Sequence, residues 1–152
     1  MSLITRRNAI LGTVGVWLNA SQISLAIGSE DKSIAWQANL RDAHQVAVKA
    51  KKPMLLVFGA EWCGPCKKLQ KSTLTNPQLA KYINSTFVSV HLDLDTDKRV
   101  AKILEVEKIP CTIVLSPEAD LLGRHVGFLE PTPMYQMLAA TQKLFAELQT
   151  AG

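Results

Sequence analysis

Met54-Leu55-Leu56-Val57-Phe58-Gly59-Ala60-Glu61-Trp62-Cys63-Gly64-Pro65-Cys66-Lys67-Lys68 begins as an unbroken apolar run and closes on two cysteines separated by Gly-Pro. The run Met54 to Phe58 follows Pro53 and stops at Gly59, the length and punctuation of a buried strand. Cys63 and Cys66 then fall in the predicted first turn of a helix. A helix start carries unpaired N–H groups and the positive end of the peptide dipole, so it favours a thiolate over a thiol, and the thiolate is the reactive form. Cys63 is therefore the expected nucleophile. Cys66, one turn further in, is placed to attack a mixed disulfide on Cys63 and close an intramolecular disulfide. Pro65 stiffens the turn and lacks an N–H that the turn would leave unpaired.

The competing reading of a Cys-x-x-Cys is half of a zinc site. Structural zinc takes four ligands, usually with a second closely spaced pair. The remaining candidates are Cys111, His44, His91 and His125, and none stands at ligand-like spacing, so no metal is expected. The cysteine count of three fits one redox dithiol and a separate thiol better than a disulfide-stapled miniature domain.

The chain of 152 residues is long enough for one domain with a substantial core, and 47% hydrophobic with 20% charged residues is ordinary globular composition without repeats or low-complexity tracts. Residues 1 to 26 read as a cleavable export signal: Thr5-Arg6-Arg7 gives a positive start, Ala9 to Leu18 an apolar stretch, and Ser24-Leu25-Ala26 a small-x-small cleavage site. Leu18-Asn19-Ala20 is an alternative cut. An uncleaved anchor is the rival reading, but the apolar stretch is shorter than the roughly 20 residues of a spanning helix. Arg6-Arg7 resembles a twin-arginine signal, with the general secretion route as the alternative. Removing Arg6 and Arg7 leaves 15 of the 17 basic residues against 13 acidic ones. A balance that near neutrality gives no argument for nucleic acid or a membrane surface as partner.

Outward from the cysteines, 27 to 32 reads as a linker and Ile34-Ala35-Trp36 as a short first strand. Asn39 is the expected N-cap of a helix running to about Lys51, with Leu40, Ala43, Val46 and Ala47 on its apolar face. After Cys66 the helix is expected to continue to about Thr73, and Asn76-Pro77 to start another with Leu79, Tyr82 and Ile83 inward. Phe87 to Asp93 reads as a strand, and Asp97 to Val106 as a helix with Val100, Ile103, Leu104 and Val106 inward. Ile109 to Leu115 and Leu121 to Val126 read as a hairpin. Thr132-Pro133 is expected to open a last helix with Met134, Met137, Leu138, Leu144, Phe145 and Leu148 on its core side. Pattern alone predicts a mixed sheet covered by helices on both faces.

Trp62-Cys63-Gly64-Pro65-Cys66, together with the order of elements, Ile109-Pro110 and Val126-Gly127, resembles the thioredoxin family over residues 33 to 149. The resemblance implies an α/β, thioredoxin-like fold with a central mixed β-sheet flanked by helices. It also implies a cis bond before Pro110 beside the nucleophile, with Ile109 pairing its backbone to a substrate peptide. Trp62, Gly64 and Pro65 join Ile109 and Pro110 as the implied substrate-binding set. Trp36 is expected in the core, His91 at a strand edge, and His44 and His125 on the surface. Lys67 and Lys68 either lower the Cys63 pKa or are merely solvated.

The sequence departs from the family pattern at Val57, where thioredoxins carry a buried aspartate that relays the proton of the second cysteine. A valine cannot relay it, so water or another group must. Cys111, where threonine is common, either packs as a small buried residue or takes part as a further resolving thiol or soft-metal ligand.

The leading functional reading is an exported, periplasmic thiol-disulfide oxidoreductase that reduces protein disulfides, monomeric, with no cofactor beyond its redox-active disulfide. No nicotinamide fingerprint occurs. A membrane thiol relay is the implied electron donor. The alternatives are a disulfide-forming or isomerising enzyme, which an oxidising destination favours, and a thioredoxin-like copper-handling module.

Overall fold

The computed structural model describes residues 33–151. The expected signal segment and linker lie outside the described residues. In chain order the elements are β1 (Trp36–Gln37), α1 (Leu40–Ala50), β2 (Met54–Gly59), α2 (Gly64–Lys68), a π turn (Leu69–Thr73), α3 (Pro77–Thr86), β3 (Val88–Asp93), α4 (Lys98–Ile103), β4 (Cys111–Leu115), β5 (Leu121–Val126) and α5 (Pro131–Ala151).

The sheet runs β1-β3-β2-β4-β5. β1 and β2 flank β3 in parallel, whereas β4 is antiparallel to both β2 and β5, so the sheet is mixed as the pattern required. β2 is the central strand and all six of its residues are buried, which is why it reads as a continuous apolar run rather than an alternating one. Its two faces serve two cores. Leu55 and Val57 pack with Leu69 of the π turn, Leu79 and Ile83 of α3, and Met134 and Leu138 of α5. Met54, Leu56 and Phe58 pack with Ala43 and Ala47 of α1, Val90, Leu92 and Ala101 of α4.

Local chemistry sets the element ends. Asn39 caps α1 by accepting the Asp42 N–H at 2.9 Å, and Asn76 caps α3 by accepting from Leu79 at 3.0 Å, each satisfying a donor that the first turn leaves free. α5 starts at Pro131, two residues before the expected opening, and the Met134 N–H reaches Glu130 O at 3.0 Å. Pro131 and Pro133 both fit a first turn, where a missing N–H costs nothing. Gly123 lets α5 approach the sheet, since a Cβ there would collide with Thr141 Cγ2.

Several expected core positions are exposed instead. α4 is only six residues long and buries Ala101; Ile103, two positions or about 200° further round, faces solvent at 69% exposure. In α5 the buried set is Met134, Leu138, Thr141 and Phe145. That 4-3-4 spacing holds one stripe against the sheet and leaves Leu144 and Leu148 outside it. Val46 likewise turns outward from α1. Trp36 belongs to an edge strand and is 37% exposed, whereas His91 sits on β3, inside the sheet, and is half-buried.

Candidate active site

β2 ends at Gly59 and the chain turns through Ala60, whose carbonyl accepts the Cys63 N–H at 3.1 Å. That turn sets Cys63 at the N-cap of α2 in extended conformation, φ −87° and ψ 106°. Its Sγ takes the place that a serine or aspartate oxygen fills at other helix starts. The Cys66 N–H donates to it at 3.2 Å. Cys63 and Cys66 are joined as a disulfide with Cα atoms 5.3 Å apart. Both are largely covered, Cys66 the more so. The same N–H is positioned to stabilise a Cys63 thiolate once the bond is reduced, because it donates directly to that sulfur.

Trp62 is 66% exposed next to the sulfurs, and its indole N–H donates to Asp95 Oδ2 at 2.8 Å. Gly64 and Pro65 are exposed on the first turn. A Cβ on Gly64 would meet nothing within 4 Å, so the fold itself does not require glycine there. Opposite them, the Ile109-Pro110 peptide is cis, and Ile109 packs on the Ala60, Cys63 and Cys66 cluster. Pro110 O accepts the Gly127 N–H at 2.7 Å. Gly127 has φ 108°, a conformation that favours glycine. Ile109 and the cysteine pair therefore lie against each other, with Trp62, Gly64 and Pro65 exposed beside the cysteines.

Cys111 is placed elsewhere. It pairs with Phe58 across β2 and β4, and its side chain is buried among Phe58, Leu92 and Ile113, on the face away from Val57. Burial pushes its thiol pKa up, with the Arg124 charge working against that shift. Among the described residues, no group of three or more His, Cys, Asp or Glu side chains is arranged to hold a metal ion. Lys68 stands 4.0 Å over the Phe128 ring rather than free in solvent, and Lys67 is exposed. His44 Nε2 lies 2.9 Å from Pro117 O.

Sequence reasoning missed two residues beside the site. His91 pairs in register with Val57 and so shares the sheet face below the cysteines. Gln70, on the π turn, donates its amide N–H to His91 Nε2 at 2.9 Å. Burial lowers the His91 pKa, opposed by the charges of Asp93 and Asp97. The alternation of Phe87 to Asp93 predicts which side chains share a face, but not which residue of β2 they meet.

A family model described as a thioredoxin-like domain matches residues 40–142. The thioredoxin-related protein DsbJ of Chlamydia pneumoniae is 29% identical over 131 residues, 78% of this chain but only 38% of that protein's length. The mitochondrial thioredoxin-3 of Saccharomyces cerevisiae is 32% identical over 106 residues, covering 68% of this chain and 77% of the yeast protein. Among solved structures, a DsbH oxidoreductase superposes with a TM-score of 0.65 at 17% identity, over 74% of this chain and 86% of its own. The five-stranded mixed sheet, the Cys63 to Cys66 pair and the cis Pro110 opposite it agree with that match, and the chain belongs to the thioredoxin-like family.

Proposed function

We propose that this chain is a thiol-disulfide oxidoreductase that reduces disulfides of other proteins, with Cys63 as nucleophile and Cys66 as resolving thiol. The observation that carries the reading is the N-cap position of Cys63, where the Cys66 N–H points at its sulfur. A thiolate there gains a charge-assisted hydrogen bond, and Cys66 lies one turn deeper.

The reaction proceeds in two displacements. The Cys63 thiolate attacks one sulfur of a substrate disulfide, the substrate S–S bond breaks, and the departing sulfur leaves as a thiolate that takes up a proton. Cys66 then loses its proton and attacks Cys63 Sγ. The Cys63 to Cys66 disulfide forms, the second substrate sulfur departs, and two electrons have moved from the dithiol to the substrate. The exposed face of Trp62 and the Ile109-Pro110 segment border the sulfurs and are the surface offered to a substrate peptide.

The basic and apolar pattern of residues 1 to 26 supports export before the domain acts, and a membrane thiol relay is the donor proposed to return the dithiol to its reduced state. No helix of the described residues is long and apolar enough to cross a membrane.

The test has two arms. Cys66→Ser is expected to accumulate mixed disulfides on Cys63, because the resolving thiol is gone, and non-reducing gels after acid quench read them. Capture of none at any pH would overturn the assignment of roles. The reduction potential decides direction: a value near that of reducing thioredoxins, about −270 mV, supports the reductant, and a value near −120 mV would make the chain a disulfide donor.

A further inference from the structure

Resting on the thiol-disulfide reading above, we propose that His91 is the proton acceptor for Cys66 in the resolving step. Cys66 must become a thiolate before it can attack the mixed disulfide, and Val57 on the strand beneath it offers no acceptor. The imidazole occupies the gap. A Cβ built on Gly59 would stand 3.3 Å from His91 Nε2 and 3.5 Å from Cys66 Cβ, so the ring and the resolving cysteine border the same methyl-sized space. Glycine at 59 keeps that space open for direct transfer or for a single water.

The nearby carboxylates are occupied in other ways. Asp93 Oδ1 accepts the N–H groups of Asp95 at 2.8 Å and Thr96 at 3.3 Å. Asp97 Oδ2 accepts from the Asp93 N–H at 2.8 Å, and Asp95 Oδ2 takes the Trp62 indole. Glu61 is exposed on the turn before Trp62. Around His91 itself, β2 presents Val57 and Gly59, β1 presents Trp36 edge-on with ring centres 5.9 Å apart, and the π turn presents the neutral Gln70. The charges that reach the ring are those of Asp93 and Asp97, and burial outweighs them. Burial thus favours the uncharged ring, whose single lone pair accepts the Gln70 N–H at rest. With Gln70 donating to Nε2, the ring's own proton resides on Nδ1.

The step balances without an added reagent. The exposed Gln70 amide first turns its N–H off Nε2, the Cys66 S–H proton passes to the lone pair so freed, the Cys66 thiolate attacks Cys63 Sγ, and the substrate thiolate departs. Rotation of the exposed Gln70 amide presents its oxygen to the new Nε2–H. The imidazolium then returns its proton to water through an open cleft of about 480 Å³ lined by Ser33, Trp36, Gln70, Leu74, Thr75 and His91.

The test separates resolution from attack. In wild type the rate of mixed-disulfide resolution is expected to rise with pH and level off once His91 is neutral. In His91→Gln it should fall on the order of 100-fold at pH 7, the scale of a lost general base, and climb instead through the range of an unassisted thiol, about pH 8 to 9. Alkylation of Cys63 and formation of the mixed disulfide should be unchanged. A His91→Gln enzyme with the wild-type pH profile of resolution overturns the proposal, whereas a wild-type protein that reduces no disulfide overturns the functional reading instead. A second measurement needs no variant. The imidazole ¹⁵N titration of His91 in wild type should shift between the oxidised and reduced forms, because only the reduced form shares a proton with Cys66, and identical curves would overturn the proposal.

Discussion

Alternate residues of one strand, β2, build the two faces of the central sheet, and the faces differ in kind. Leu56 and Phe58 look into a core shared with Val90, Leu92, Cys111 and Ile113 beneath α1 and α4, and every one of those side chains is apolar. Leu55 and Val57 look the other way, where their register partners include Ser89, His91 and Thr112. The Ser89 and Thr112 hydroxyl oxygens are buried there without a hydrogen-bond partner among the described residues. Both faces hold the domain together, since Leu55 and Val57 also pack with Leu69, Ile83, Met134 and Leu138. Only theirs also keeps polar groups under the cysteines, where proton movement is needed. Buried polar groups cost free energy when unpaired, so their concentration on a single face marks the face on which chemistry takes precedence over packing.

The sharpest way to test that division is to damage the apolar face. Phe58 is fully buried, so Phe58→Ala removes a large side chain from a dense cluster and is expected to cost about 3 to 5 kcal/mol of stability. Urea unfolding at pH 5 and pH 8 should give the same loss at both, because nothing near it titrates between them. The reactivity of Cys63 per folded molecule should be retained. A loss below about 1 kcal/mol would mean the cluster collapses around the missing ring and is not densely packed.

Val57→Asp acts on the other face, and its effect is smaller and depends on pH. A carboxyl group there is buried beside Thr112, whose hydroxyl can donate to it, and in register with His91. Burial raises its pKa, so between about pH 4 and that raised value the folded protein binds more protons than the unfolded chain, and stability falls as pH rises. The expected cost is about 1 kcal/mol at pH 5 and about 3 kcal/mol at pH 8, read from paired urea transitions. Equal costs at the two pH values would show that the carboxylate ionises freely, and that the face is already polar enough to solvate a charge.

Much of this was legible in the sequence because it is local. Asn39 and Asn76 announce helix starts through their side-chain oxygens, Pro53 and Gly59 bracket β2, and Trp62 to Cys66 marks both the turn and the sulfur chemistry. What pattern did not give is register. Nothing within Phe87 to Asp93 says that His91 lies opposite Val57, because that pairing depends on how far β3 slides along β2. Trp36 read as core on hydrophobicity alone, yet a two-residue edge strand has no outer neighbour to cover it. Leu144 and Leu148 were misplaced for a related reason. α5 spreads Tyr135, Met137, Leu144 and Leu148 round a helix that also carries Lys143 and Glu147, so several stripes are plausible, and the sheet beneath selects the one that runs through Thr141.

The smallest expected effect belongs to Cys111, and it bears on whether the division between faces is complete. The residue follows the cis Pro110, which borders the redox pair, yet its own side chain turns to the Phe58 side of the sheet. Adjacency in sequence and separation by a strand's pleat are both true of it, because successive strand residues point to opposite faces. If the faces are independent, Cys111→Thr only places a hydroxyl where a sulfur packed, at a cost of about 1 kcal/mol. Turnover per folded molecule should not move. The decisive background is Cys66→Ser, in which any surviving resolution of the Cys63 mixed disulfide must come from another thiol. There the added Cys111→Thr change is expected to leave the lifetime of the trapped species as it was. A longer lifetime would show that the chain flexes enough at Pro110 to bring Cys111 around to the sulfur, and the two faces would then be coupled through that peptide rather than kept apart by it.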